Sequence, residues 1–198
     1  MRIIVISPES ADPREVPAMG GFFSAGLERY DVRKPRWGEG ELEAWLMALP
    51  REWRPRLFIH EHHALAGRLG LGGTHDKDTG TPGGGARSRS CHDLPALEAS
   101  VGLYESVIFG PVFASFTKRG HGPRADFPWD RLAQVLRGAR TTVFAIGGID
   151  AGRLERCREL GFSGAAVLGA VWNAADPAGA YALLREKALR LEAAPHAA

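Results

Sequence analysis

The chain is poor in cysteine, holding only Cys91 and Cys157 in 198 residues, far apart and outside any CxxC pair. That spacing argues against a disulfide framework or a cysteine-ligated zinc site. Long apolar runs are also missing. The N-terminal stretch Met1-Arg-Ile-Ile-Val-Ile-Ser7 breaks at Ser7-Pro8-Glu9. It is too short for a secretory core or a bilayer span, so the expectation is a cytoplasmic protein. Neither sign of charge dominates: 25 basic against 23 acidic residues give a formal net charge of +2. Such a balance supplies no general attraction to nucleic acid or to a membrane surface, so any anion site must be local. No internal repeat has a readable period.

What is present fits a soluble globular protein, with 44% hydrophobic and 24% charged residues. The length suits a single domain over 1–198, with a tail at 193–198 expected to fray. Short apolar runs predict strands over 3–6, 29–33, 57–60, 72–75, 86–90, 104–109, 141–146 and 164–168. The fourth and fifth are the weakest. Helical patterns lie between: Glu39 to Leu49, Phe127 to Leu136 behind an Asp126 cap, Ala151 to Leu160 behind an Asp150 cap, and Pro177 to Leu191. Strand–helix alternation implies a parallel sheet. Eight candidate strands in this length point to a (β/α)₈ TIM barrel of minimal size; an open doubly wound sheet is the other arrangement the pattern allows. Asp76 to Gly85 is rich in Gly and Pro, so helix four is expected to be replaced or shortened by a loop. Gly110 to Ala125 forms a second long loop, after strand six. Barrel enzymes keep their chemistry on such loops.

Five groups of residues carry candidate chemistry. Gly147-Gly148 after strand seven and Leu168-Gly169 after strand eight match the usual place for a phosphate in a barrel, where backbone N–H groups approach an anion; the glycines alone would also serve as tight turns. Ser115, Thr117 and Lys118 on loop six offer two hydroxyls and an ammonium to an oxyanion. Arg33 and Lys34 end strand two, where a basic pair suits either the barrel mouth or the surface. Glu61, Asp76 and Asp78 lie at the ends of strands three and four, as Mg²⁺ ligands or as helix N-terminal charges. Six of the seven histidines fall at strand ends or in loops, without the spacing of a zinc site, and His92 is the candidate general acid or base.

Several of these segments resemble the thiamine phosphate synthase family, which includes the TenI-type thiazole tautomerases. The family's strand-five motif is similar to Arg89-Ser-Cys-His-Asp93. Its loop-six motif resembles Gly110-Pro-Val-Phe-Ala-Ser-Phe-Thr-Lys118 followed by Gly122-Pro123. Its phosphate motifs resemble Ala145-Ile-Gly-Gly-Ile149 and Gly164 to Val171. The resemblance implies a transferase that joins hydroxymethylpyrimidine pyrophosphate to thiazole phosphate, giving thiamine phosphate and pyrophosphate. It implies Arg33, Ser90, His92 and Lys118 as catalytic groups, with Lys34, His60, Ser115, Thr117, Gly147, Gly148, Leu168 and Gly169 holding substrate. It further implies Mg²⁺ at Glu61 and Asp78, phosphorylated small molecules as partners, and a homodimer. The departures are Asp31 for the glutamine of strand two, His60-Glu61 for an Asn-Asp pair, and His75-Asp-Lys-Asp78 running into a glycine-rich insert. They leave open an isomerase with His92 as acid/base, or a non-catalytic binder of thiamine phosphates.

Overall fold

The computed structural model describes residues 1–79, 82–83, 85–114 and 122–193. Eight parallel strands close into one barrel in chain order. They are β1 (Arg2–Ile6), β2 (Tyr30–Val32), β3 (Leu57–Ile59), β4 (Gly73–Asp76), β5 (Ser88–Cys91), β6 (Ser106–Phe109), β7 (Thr142–Ile146) and β8 (Gly164–Val167). Every strand expected from the apolar runs is present, and β1 closes on β8 with Ile4 opposite Ala166. The open doubly wound sheet is thereby excluded.

The outer layer consists of α1 (Glu15–Ser24), α2 (Glu39–Ala48), α3 (Ala64–Leu69), α4 (Leu94–Ser100), α5 (Trp129–Gly138), α6 (Leu154–Leu160), α7 (Gly169–Trp172) and α8 (Pro177–Ala193). A 3₁₀ segment, Arg51–Arg56, leads into β3. Among the described residues no helix lies between β4 and β5, as the Gly/Pro-rich stretch there dictates. None of the described helices is long and apolar enough to cross a membrane.

Two caps differ from expectation. Asp126 does not cap α5: its carboxylate accepts from Arg124 Nε at 3.1 Å, and the helix starts after Pro128. Asp150 accepts from the Arg153 N–H at 3.1 Å and so closes the turn before α6, which begins only at Leu154. Asp93 is a working cap that the hydrophobic pattern did not reveal. Its Oδ1 accepts from the Ala96 N–H at 2.8 Å, with Pro95 in the first turn of α4. The main core fills the space between strands and helices, with Val5, Phe22, Tyr30, Leu42, Leu57 and Tyr181 almost fully buried.

Candidate active site

Successive strand residues face opposite sides, so the register assigns the barrel interior. Ile4, Ile6, Ile108, Phe144 and Ala166 form a separate apolar cluster there. It occupies the side built by β1, β6, β7 and β8. The side built by β2 to β5 is polar: Asp31, His60, His75 and Ser88 are all buried, and Arg29 and Ser106 join them.

These polar groups form one hydrogen-bonded chain. Arg29 grips Asp31 through two bonds, Nε to Oδ1 at 2.5 Å and Nη2 to Oδ2 at 2.7 Å. Its remaining bonds run to Ser106 Oγ and Ser88 Oγ, both at 2.8 Å, and its guanidinium lies 3.9 Å over the Phe58 ring. Asp31 Oδ2 also accepts from His60 Nε2 at 3.1 Å. The His60 ring stacks on His75 with centroids 4.1 Å apart and planes 24° from parallel. His75 reaches Ser88 Oγ through Nδ1 at 2.7 Å and Ser90 Oγ through Nε2 at 2.8 Å.

Burial alone would raise the Asp31 carboxyl, but Arg29 and the His60 hydrogen bond outweigh it and hold it well below the usual carboxylate range. Burial, with the nearby His60, holds His75 well below an ordinary histidine, so its ring is neutral. Asp31, His60 and His75 bring one donor atom each within 4.8 Å of one another. His60 Nε2 donates to Asp31, both His75 nitrogens are engaged by Ser88 and Ser90, and Arg29 pairs with Asp31. The group is therefore a hydrogen-bond chain rather than a ready metal centre.

At the C-terminal ends of the strands, Arg33 is anchored by its backbone: its N–H donates to Ser7 Oγ at 2.8 Å, and Ser7 donates back to its carbonyl at 3.1 Å. Its guanidinium pairs with Glu9. Lys34 does not join it. The Lys34 ammonium is fully buried and donates to Glu15 Oε2 at 2.6 Å and to the Pro8 and Ser10 carbonyls at 2.7 and 3.2 Å. It lies 5.0 Å from the Trp37 ring centre. Alternation past β2 explains this: Arg33 continues the Arg29–Asp31 face, whereas Lys34 turns under α1.

Glu61 accepts from the Lys34 N–H at 3.1 Å through Oε2. Its Oε1 is buried, has no hydrogen-bond partner among the described residues, and lies 3.7 Å from Lys77 Nζ. Asp78 accepts from the His92 N–H at 2.9 Å and faces Arg89 Nη2 at 3.6 Å. Asp76 is turned to the Tyr104 hydroxyl at 2.9 Å. His92 Nδ1 lies 2.7 Å from the Gly110 carbonyl. Because a carbonyl only accepts, Nδ1 carries the hydrogen. His92 also lines a cleft of about 410 Å³ with Phe109, Pro111, Arg124 and Phe127.

Gly147 and Gly148 both have positive φ, 97° and 61°. The strand-six loop packs directly over them: Val112 N–H donates to the Ile146 carbonyl at 2.8 Å and Phe113 N–H to the Gly147 carbonyl at 3.1 Å. A Cβ on Gly148 would sit 2.2 Å from the Ala114 carbonyl oxygen, so only glycine serves here. Leu168 caps the short α7, which begins at Gly169. Ser115, Thr117, Lys118 and His121 lie outside the described residues. Sequence reasoning names Asp31 and His75 only as departures from family motifs, His75 also among the histidines, and misses Arg29 and Ser88. The signal that finds them is strand alternation, which places 29, 31 and 33 on one face.

Residues 23–171 match the family model described as thiamine monophosphate synthase. The chain belongs to that family. Among its relatives is the thiamine-phosphate synthase of Thermus thermophilus, 35% identical over 178 residues, which cover 83% of this chain and 84% of that one. The thiamine-phosphate synthase of Neisseria gonorrhoeae is 30% identical over 173 residues, covering 80% and 83%. The thiamine phosphate pyrophosphorylase from Bacteroides thetaiotaomicron superposes with a TM-score of 0.78 at 23% identity, covering 95% of this chain and 98% of that one. That likeness speaks for the shared barrel.

Proposed function

We propose that this protein is a thiamine phosphate synthase: it transfers the pyrimidinylmethyl group of hydroxymethylpyrimidine pyrophosphate to thiazole phosphate, releasing pyrophosphate. The observation that carries this reading is the family match over residues 23–171, with relatives of that name related along four fifths of the chain. In the reaction the C–O bond to the diphosphate breaks and its electron pair leaves with pyrophosphate. The thiazole nitrogen then gives its lone pair to the pyrimidine methylene carbon. Little proton transfer is required, so the main task of the protein is to stabilise the departing charge and to hold the two rings in register.

Arg33, Ser115, Thr117 and Lys118 supply charge and donors to the diphosphate in this reading. Gly147, Gly148, Leu168 and Gly169 hold the thiazole phosphate through backbone N–H groups. Ser90 contacts the pyrimidine substrate from β5, beside His75. Glu61 suits a hard cation, since one of its oxygens is buried without a hydrogen-bond partner among the described residues. Asp78, facing Arg89 at 3.6 Å, is the weaker ligand of the two. When bound, Mg²⁺ would neutralise diphosphate charge that the basic groups leave uncovered. Lys34, fully buried against Glu15, shapes the base of loop two rather than touching substrate.

The test is release of pyrophosphate by purified, folded protein supplied with both substrates and Mg²⁺. Release that needs both substrates supports the transferase. Conversion of a thiazole carboxylate phosphate that persists with chelator and is lost in His92→Ala would replace it with the isomerase. Tight binding of thiamine phosphate without turnover would replace it with a binding protein.

A further inference from the structure

The polar chain has a direction, and donor–acceptor accounting fixes it. Arg29 can only donate, so Ser88 Oγ accepts from its Nη2 at 2.8 Å. Ser88 is fully buried, and its hydroxyl has one other partner among the described residues, His75 Nδ1 at 2.7 Å. If His75 donated on that side, the Ser88 hydroxyl proton would be left buried with no acceptor, which proteins rarely tolerate. The Arg29 charge acts in the same sense, drawing the lone pairs of Oγ toward itself and turning the proton away. Ser88 therefore donates to Nδ1. A neutral His75 then carries its own hydrogen on Nε2 and donates to Ser90 Oγ at 2.8 Å. Each donor in the series strengthens the next, because every link polarises its neighbour in a low-dielectric interior.

We propose that Arg29, acting through Ser88 and His75, leaves the Ser90 hydroxyl proton free to donate to the substrate, so that this point of the barrel mouth favours an acceptor atom. Arg29, Ser88 and His75 are positioning residues; Ser90 is the group that touches substrate. Asp31 and His60 complete the device from the other side. Asp31 fixes the Arg29 guanidinium through two bonds, and the stacked His60 ring holds the plane of His75. The family resemblance supplies the serine at position 90 and the motif positions of His60 and His75. The direction of the hydroxyl follows from Arg29 and Ser88, which the family motifs do not name.

The direct test is the tautomer of His75 in the full-length protein, read at neutral pH by long-range ¹H–¹⁵N correlation on histidine-labelled material. The His75→Asn variant assigns the signal by its loss. The expected result is a neutral ring protonated on Nε2; a ring protonated on Nδ1, or on both nitrogens, overturns the proposal. This arm is independent of the synthase reading. The second arm rests on that reading and compares two hydroxyl deletions on the same arginine. Ser88→Ala interrupts the series and is expected to lower kcat/KM about tenfold, the usual scale of one lost hydrogen bond. Ser106→Ala removes an Arg29 bond of equal length that lies off the path and is expected to change it less than twofold. Equal losses in the two variants would mean that Ser88 is merely structural, and would overturn the directed series.

Discussion

The two sides of the barrel interior solve the same packing problem with opposite chemistry. On one side Ile4, Ile6, Ile108, Phe144 and Ala166 fill the space with hydrocarbon. On the other, Arg29, Asp31, His60, His75, Ser88 and Ser106 fill it with ion pairs and hydrogen bonds. The apolar side owes its stability to non-directional burial, which tolerates a similar hydrophobe of similar volume. The polar side depends on complete pairing, since a buried charge or hydroxyl without a partner is costly. Among the described residues the polar side carries a series of side-chain hydrogen bonds toward the mouth, ending at Ser90. The apolar side carries β7 and β8, whose ends lead into Gly147, Gly148 and Gly169.

Removing one partner on the polar side should have the largest effect. Arg29→Met leaves Asp31 buried with His60 as its one side-chain partner among the described residues and should lose about 3–5 kcal/mol in denaturant unfolding. Adding Asp31→Leu to that variant should recover most of the loss, because no uncompensated charge then remains. If the double variant is no more stable than the single one, pairing is not what holds this side together. Phe144→Ala tests the other side. It should lose a comparable 3–5 kcal/mol through its cavity while leaving the pH dependence of stability unchanged.

A smaller effect is expected where the two sides meet loop six. Gly148→Ala imposes a positive φ on a residue with a Cβ and a clash with the Ala114 carbonyl. It should lose about 1–3 kcal/mol and weaken binding of thiazole phosphate, which calorimetric titration with that substrate would measure.

The smallest effect is the pH slope. The pKa of Asp31 is lower in the folded protein than in the unfolded chain. The unfolded state therefore binds more protons as pH drops below about 4, and the stability that Asp31 contributes is present above that pH and lost beneath it. Its share of the slope is at most about 1.4 kcal/mol per pH unit, the limit for one proton. Asp31→Asn should flatten the curve by up to that amount, and an unchanged slope would show that Asp31 is not ionised in the interior.

The same contrast explains how much the sequence disclosed. Strands β1, β6, β7 and β8 announce themselves as aliphatic runs because hydrocarbon lines both of their faces. Strands β4 and β5 read weakly because their inner faces carry His75, Ser88 and Ser90, so the least visible strands are the ones that build the candidate site. Alternation puts Arg33 on the same face as Arg29 and Asp31 and turns Lys34 away, toward Glu15 on a helix the pattern did not disclose. That helix, α1, contains Pro17, Gly20 and Gly21, which lower its intrinsic propensity. Pro17 is tolerated because first-turn N–H groups need no partner within the helix. The long-range pairing of Arg29 with Ser88 and Ser106 has no local signature. It follows only once the barrel is closed and the register is known.

The central claim is that this barrel makes thiamine phosphate at the C-terminal ends of its strands. It is tested most directly by incubating the purified protein with Mg²⁺, hydroxymethylpyrimidine pyrophosphate and thiazole phosphate, and quantifying both products. Thiamine phosphate and pyrophosphate are expected in equal amounts, formed only when both substrates are present and strongly reduced in Lys118→Ala. Folded protein that binds either substrate yet forms no thiamine phosphate would contradict it.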